Sequence, residues 1–149
     1  MSKRINVRHL RLRDMDRVLE IEQASFGAEA YDRNLFAEYF HKCGELFLVA
    51  DLGERICGYS LTCISGQRAE LVSVAVDPPD RGKGIARTLL DSTLRRLRRR
   101  AVARLALTVR QSNQPARALY ESQGFLERRI IPGYYEDGED GLMMTKEVG

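Results

Sequence analysis

The stretch VAVDPPDRGKGIARTLL, residues 74–90, constrains this chain more than any other. An apolar, β-rich run stops at Asp77-Pro78-Pro79-Asp80, because proline has no donor for a strand ladder. Two glycines, Gly82 and Gly84, follow within a few residues. Beyond them Ile85, Leu89, Leu90, Leu94 and Leu97 fall on one helical face, with Arg87, Asp91, Arg95 and Arg98 opposite. A strand, a glycine-bearing turn and an amphipathic helix in that order commit the chain to mixed α/β structure. The first amides of such a helix lack intrahelical partners and sit at the positive end of its dipole, so they form an anion site. Glycine lets backbone approach a ligand without a Cβ in the way, and Arg81, Lys83 and Arg87 add charge. Phosphate is the natural ligand. The GxxxxGK(S/T) pattern is absent, and a GxGxxG fingerprint needs glycine where Arg87 stands, which disfavours nucleoside triphosphates and dinucleotides. A plain strand–turn–helix connection is the competing reading.

Around this stretch the pattern is readable in order. Ile5, Val7 and His9 alternate as a first strand, and Asp14 is placed to cap a helix carrying Met15, Val18, Leu19, Ile21, Glu22 and Phe26. A second helix is expected from about Arg33 to Lys42, stopped by Gly44. Strands follow at 46–50, 56–64 and 69–76, the first two joined by the turn Asp51-Leu52-Gly53-Glu54. After the third helix come a strand at 105–109, a helix opened by Asn113-Gln114-Pro115 and ended by Gly124, and strands at 125–131 and 142–146.

At 149 residues, 44% hydrophobic and 30% charged, without a linker or repeat, one domain spanning 1–149 is expected. No apolar window approaches the ~18 residues of a membrane span, and the N-terminus has no signal-peptide stretch, so a cytoplasmic protein with no membrane partner is expected. A net charge of +3 is too mild to announce nucleic-acid binding. The run Arg95-Arg96-Leu97-Arg98-Arg99-Arg100 reads as a solvated helix end, with RNA contact as the alternative. Cys43, Cys57 and Cys63 have no metal spacing with each other or with His9 and His41. They are expected as three reduced thiols packed as small hydrophobes, and no metal is expected.

Arg81-x-x-Gly84-x-Ala86, preceded by Val74-Ala75-Val76-Asp77-Pro78, resembles the Gln/Arg-x-x-Gly-x-Gly/Ala motif of the GNAT superfamily of N-acetyltransferases. VRQSNQPARALYESQGF (109–125) and YYEDGEDGLMM (134–144) bring the resemblance closest to the ribosomal-protein-alanine (RimI-like) and related N-terminal acetyltransferases, over nearly the whole chain. The resemblance implies an α/β fold (α+β by some conventions), the GNAT acyl-CoA N-acyltransferase fold. Its mixed central sheet has about seven strands flanked by about four helices.

Acetyl-CoA is the implied co-substrate. The resemblance puts its pyrophosphate on Arg81, Gly82, Lys83, Gly84, Ile85, Ala86 and Arg87 and its pantetheine arm beside Val74, Ala75 and Val76. Asn113 and Ala116 match positions near the cofactor's bend, although Asn113 is equally placed to cap a helix. Tyr120 aligns with the general acid facing the CoA sulfur; a packed helical tyrosine is the plainer alternative. RimI-like enzymes carry a glutamate where this chain has Thr108, whereas histone-type relatives carry theirs where Glu70 stands. Glu70 is therefore the candidate base, directly or through water, against an ordinary strand-end carboxylate. Tyr134 and Tyr135 are implied to bind a peptide backbone, with Phe26 and Tyr31 as the other wall, and Glu136, Asp137, Glu139 and Asp140 form an acidic patch suited to steering a cationic acceptor.

The implied reaction moves acetyl from acetyl-CoA to a primary amine by direct attack in a ternary complex. A protein or peptide N-terminal α-amine is favoured because its pKa of about 7.7–8.0 lies far below the ~10.4 of lysine. A ribosomal protein is among the candidate acceptors. Lysine, a small amine (polyamine, aminoglycoside, amino acid) or a non-catalytic acyl-CoA-binding module remain alternatives, the last supported by Thr108. Nucleic acid is not expected as a partner, and monomer and homodimer both stay open.

Overall fold

The computed structural model describes residues 4–149. Its helices are α1 (Met15–Phe26), α2 (Arg33–Cys43), α3 (Ile85–Arg99) and α4 (Gln114–Ser122). Its strands are β1 (Asn6–His9), β2 (Phe47–Asp51), β3 (Ile56–Ser65), β4 (Arg68–Val76), β5 (Arg104–Arg110), β6 (Leu126–Ile131) and β7 (Gly141–Glu147). The strands form one mixed sheet in the order β1-β2-β3-β4-β5-β7-β6. Every expected element is present within a few residues of its expected bounds.

Residue contacts fall into two units. The first holds residues 4–63 and Val72–Arg96. Alternation along β2 sends Phe47 and Val49 to one face and Leu48 and Ala50 to the other. Phe47 and Val49 pack with Met15, Val18 and Ile21 of α1 and Phe36 of α2. Leu48 and Ala50 pack with Ile85 and Leu89 of α3. The β2–β3 register moves from Ala50↔Gly58 to Asp51↔Ile56, so β3 carries one extra residue, Cys57. That bulge explains why Cys57 and Tyr59, two residues apart on one strand, join these two opposite clusters.

The second unit holds Ile64–Leu71 and Leu97–Gly149. Here β5 pairs antiparallel with β7 along its whole length, and β7 with β6. The buried side chains of β5 alternate as Leu105, Leu107 and Val109. The pairing of β4 with β5 is parallel and short, from Arg68↔Arg104 to Glu70↔Ala106.

Two expectations need correction. Asp14 does not cap α1 with its side chain. Its carboxylate accepts from the Arg11 amide (2.8 Å) and from the Arg8 guanidinium (2.8 Å), closing a 3-10 turn over Leu12–Asp14 instead. A side-chain cap is found at α2, where Asp32 Oδ1 accepts from the Leu35 amide at 2.9 Å. The three cysteines are not all thiols: Cys43, at the end of α2, and Cys63, in β3, form a disulfide with Cα atoms 5.1 Å apart. Cys57 stays a buried thiol, donating to the Ala50 carbonyl at 3.4 Å. No helix among the described residues is long and apolar enough to cross a membrane.

Candidate active site

In the first unit β4 ends in a 3-10 turn, Pro78–Asp80, and then in Gly82 and Gly84 with φ of +80° and +79°. A side chain adopts that backbone rarely, and a Cβ at either glycine would meet only open space. The requirement is therefore conformational: the positive φ values swing the backbone round so that α3 starts abruptly. The Thr88 amide donates to the Gly84 carbonyl (3.0 Å), the first bond of the α3 ladder. The amides of Ile85 and Ala86 come before it and point out of the helix end, as an anion cradle requires. The Ile85 side chain is in the core, so only its backbone faces outward.

This loop is held from behind by charges that sequence reading missed. Asp80 is fully buried and accepts from both guanidinium nitrogens of Arg55, one bond being 2.7 Å, while Lys83 Nζ lies 3.3 Å away. Arg55 above all, with Lys83, holds the Asp80 carboxyl below the usual range. Arg17 reaches Asp77 (2.6 Å) and the Ile56 carbonyl (3.0 Å). Arg81 donates to the Val76 carbonyl (3.0 Å) and to Ser25 of α1 (3.2 Å). Arg81 and Lys83, expected to meet phosphate directly, thus already brace the loop. Val74 and Val76 are half-buried and Ala75 is in the core.

The same unit carries Phe26 and Tyr31. Phe26 is 40% exposed at the end of α1. The Tyr31 ring stands edge-on to Phe36 at 5.9 Å and tilted against Tyr39 at 6.2 Å. Behind them Glu22, 2% exposed, accepts from the Tyr31 amide at 2.9 Å and from the Tyr59 hydroxyl. Tyr59 is 2.8 Å from Ser73 Oγ. Burial pushes the Glu22 carboxyl up and the Tyr59 phenol well up, the latter helped by Glu22 itself.

The second unit carries the remaining candidates. Glu70 is exposed on β4, opposite Ala106. Tyr120 of α4 is 7% exposed and packs edge-on to Phe125 at 5.6 Å. Burial, with a smaller contribution from Tyr135, pushes its phenol up to about 12. It therefore keeps its proton at neutral pH and is a donor, not a base. Asn113 does cap α4, its Oδ1 accepting from the Ala116 amide at 3.2 Å, a bond in which its side-chain NH2 takes no part.

The loop after β6 is built around Arg110. Its guanidinium meets Asp137 (2.9 Å) and Glu139 (2.8 Å) and lies 4.2 Å from the centre of the Tyr135 ring. Ser112 and Arg110 hold the Glu139 carboxyl down to about 2. Asp140 accepts from the Gly133 amide at 2.9 Å. Three of the four acidic residues expected to steer a substrate thus organise their own loop. Tyr134 stays 53% exposed, crossing Tyr135 edge-on at 4.9 Å. Its Cβ and Cγ lie 3.0 Å from where a Cβ on Gly141 would stand, and Thr108 Cγ2 lies 2.8 Å from the same point.

Among the described residues no group of three or more His, Cys, Asp or Glu side chains is placed to hold a metal ion.

Comparison with known proteins adds independent information. Residues 13–125 match the acetyltransferase (GNAT) family. An N-alpha-acetyltransferase of Saccharolobus solfataricus is 32% identical over 95% of this chain and 92% of its own. The ribosomal protein bS18-alanine N-acetyltransferase of Salmonella typhimurium is 33% identical over 91% of this chain and 92% of its own. Ard1 from Thermoplasma volcanium superposes with a TM-score of 0.93 at 25% identity, covering 97% of this chain and 98% of that one.

Proposed function

This chain belongs to the GNAT family of acetyltransferases, and from that premise we propose that it moves acetyl from acetyl-CoA to the N-terminal α-amine of a protein or peptide. The single observation that carries the cofactor assignment is the start of α3, where two left-handed glycines open onto outward-facing amides. Protein acceptors are favoured by the relatives just described, which act on protein α-amines by name.

Acetyl-CoA supplies an activated thioester carbonyl. The amides around Gly82–Ala86 hold its diphosphate, and Arg81 and Lys83, braced on Val76 and Asp80, keep the loop in shape. A neutral amine attacks the carbonyl carbon; a C–N bond forms, the C–S bond breaks with its electron pair leaving on sulfur, and the proton lost by nitrogen reaches the thiolate through solvent. Glu70, exposed at its strand, accepts the amine proton directly or through water. Tyr120 donates a hydrogen bond to the sulfur. At about 12 its phenol is a weaker acid than a thiol near 8.5, so it stabilises the developing thiolate by hydrogen bonding and does not end as a phenolate. Phe26 and Tyr31 are the aromatic side chains of the first unit assigned to the acceptor, and Tyr134 that of the second.

The test is acetyl-CoA with N-terminal peptides, lysine peptides, polyamines and aminoglycosides, each acceptor followed by mass and by release of CoA thiol. Acetylation of peptide α-amines is expected. Tyr120→Phe should lower turnover at least about tenfold, ~1.4 kcal/mol of barrier, with acetyl-CoA binding intact. Acetylation confined to small amines overturns the acceptor assignment, and normal turnover in Tyr120→Phe removes that residue from the mechanism.

A further inference from the structure

Glu22 is a costly residue to keep where it is. It sits on the buried face of α1 with 2% exposure, and its partners are the Tyr31 amide, the Tyr59 hydroxyl and, at 3.4 Å, Ser73 Oγ. No arginine or lysine among the described residues pairs with it. A buried carboxylate without a cation is supported by hydrogen bonds alone, and an apolar side chain of similar volume would serve packing as well or better. Its bonds converge on one place. Tyr31 is nine residues ahead of Glu22, across the 3-10 turn Gly27–Glu29, so the carboxylate ties the end of α1 to the start of α2. Tyr59 belongs to β3 and Ser73 to β4, next to Val74.

We propose that Glu22 is a positioning residue for the acceptor: its carboxylate, fixed by Tyr59 and Ser73, sets the backbone at Tyr31 and with it the aromatic wall that receives the incoming amine. This rests on the function proposed above, and it adds a residue that touches neither cofactor nor acceptor. The bond geometry separates two substitutions. In Glu22→Gln the amide oxygen still accepts from the Tyr31 amide, while its NH2 finds an acceptor in the Tyr59 hydroxyl. In Glu22→Leu all three bonds go, among them the one that holds the Tyr31 amide.

The experiment measures steady-state kinetics with an N-terminal peptide that the wild-type protein acetylates, acetyl-CoA affinity by calorimetry, and amide exchange at Tyr31 by NMR. Loss of a hydrogen bond to a charged group predicts that Glu22→Leu raises the acceptor KM about tenfold or more, while acetyl-CoA affinity stays within about twofold. Tyr31 exchange accelerates in the same variant. Glu22→Gln restores KM to within about threefold of wild type, a rescue that loss of bulk packing would not produce. If Glu22→Leu does not fold, Ser73→Ala carries the test, with a rise of about threefold in acceptor KM. A folded Glu22→Leu with wild-type KM, or a loss that falls on acetyl-CoA affinity instead, overturns the positioning role alone. A wild-type protein that binds CoA and acetylates no amine overturns the proposed function, and the positioning role with it.

Discussion

Replacing Gly141 by alanine tests the packing of the second unit at its tightest point. The new methyl would lie 2.8 Å from Thr108 Cγ2 and 3.0 Å from both Cβ and Cγ of Tyr134. Comfortable carbon–carbon contact is about 3.5–4.0 Å, so three pairs overlap at once. Gly141 opens β7 in ordinary extended pairing with Arg110 and Ile131, so backbone strain does not enter. Overpacking of this kind costs about 1–3 kcal/mol. Alanine returns about 0.4–1 kcal/mol by restricting the unfolded chain, leaving a net loss of about 1–2 kcal/mol. Relief can come in two ways: Tyr134 is displaced together with its loop backbone, since its Cβ is one of the clashing atoms, or Thr108 gives way. Thr108→Ser removes the methyl behind the shortest contact. Urea unfolding of wild type, both single variants and the double variant should therefore show favourable coupling of about 1 kcal/mol between the two sites. Displacement of Tyr134 should also raise the acceptor KM and leave acetyl-CoA affinity unchanged. Additivity within about 0.3–0.5 kcal/mol would refute the reasoning, because it would mean that the two side chains do not compete for the space that glycine leaves.

Glu70→Gln should lower turnover at least about tenfold with acetyl-CoA binding intact; unchanged turnover would exclude Glu70 as base. Reduction of Cys43–Cys63, which closes a separation of 20 residues, should lower stability by about 3 kcal/mol. Melting with and without dithiothreitol measures this, and coincident curves would show that the bridge contributes nothing. Glu139, held to about 2 in the folded protein, contributes stability that is complete above its ordinary pKa of about 4.3 and is lost as pH falls through about 2. The urea midpoint should fall over that interval, and Glu139→Gln should flatten the fall. An identical slope in the variant would show that Arg110 and Ser112 do not discriminate between the two protonation states.

What was legible in the sequence was local. The glycines at 82 and 84, the apolar stripe from Ile85 to Leu97 and the Asn113-Gln114-Pro115 start of α4 each act within a turn or two of themselves, and each is found where it was read. What escaped depended on partners distant in sequence. Asp14 has the right side chain for a cap, but Arg8 and the Arg11 amide compete for it successfully. Cys43 and Cys63 meet because a helix end is folded onto a strand, and no spacing rule encodes that. The acidic loop was read as a field directed outward because Arg110, 27 residues from Asp137, could not be placed beside it. For Glu22 a signal was present. A carboxylate interrupting the apolar face of Val18 and Ile21 is expensive unless something waits inside, and Tyr59 does. Asp80 carried a fainter one, since a loop residue fully removed from water needs an arginine, and Arg55 is the partner.

The helix α2 is fastened at both ends. Its last residue is joined covalently to β3 through Cys43–Cys63, and two residues before its first the Tyr31 amide is tied to Glu22. Eleven residues on their own would be a marginal helix in water, fraying from either tip. Clamped like a beam on two supports, this one has no loose tip from which to unzip. Its hydrogen exchange should follow global opening of its unit, and an acceptor that meets the wall proposed at Tyr31 would then meet a rigid mould that selects by fit.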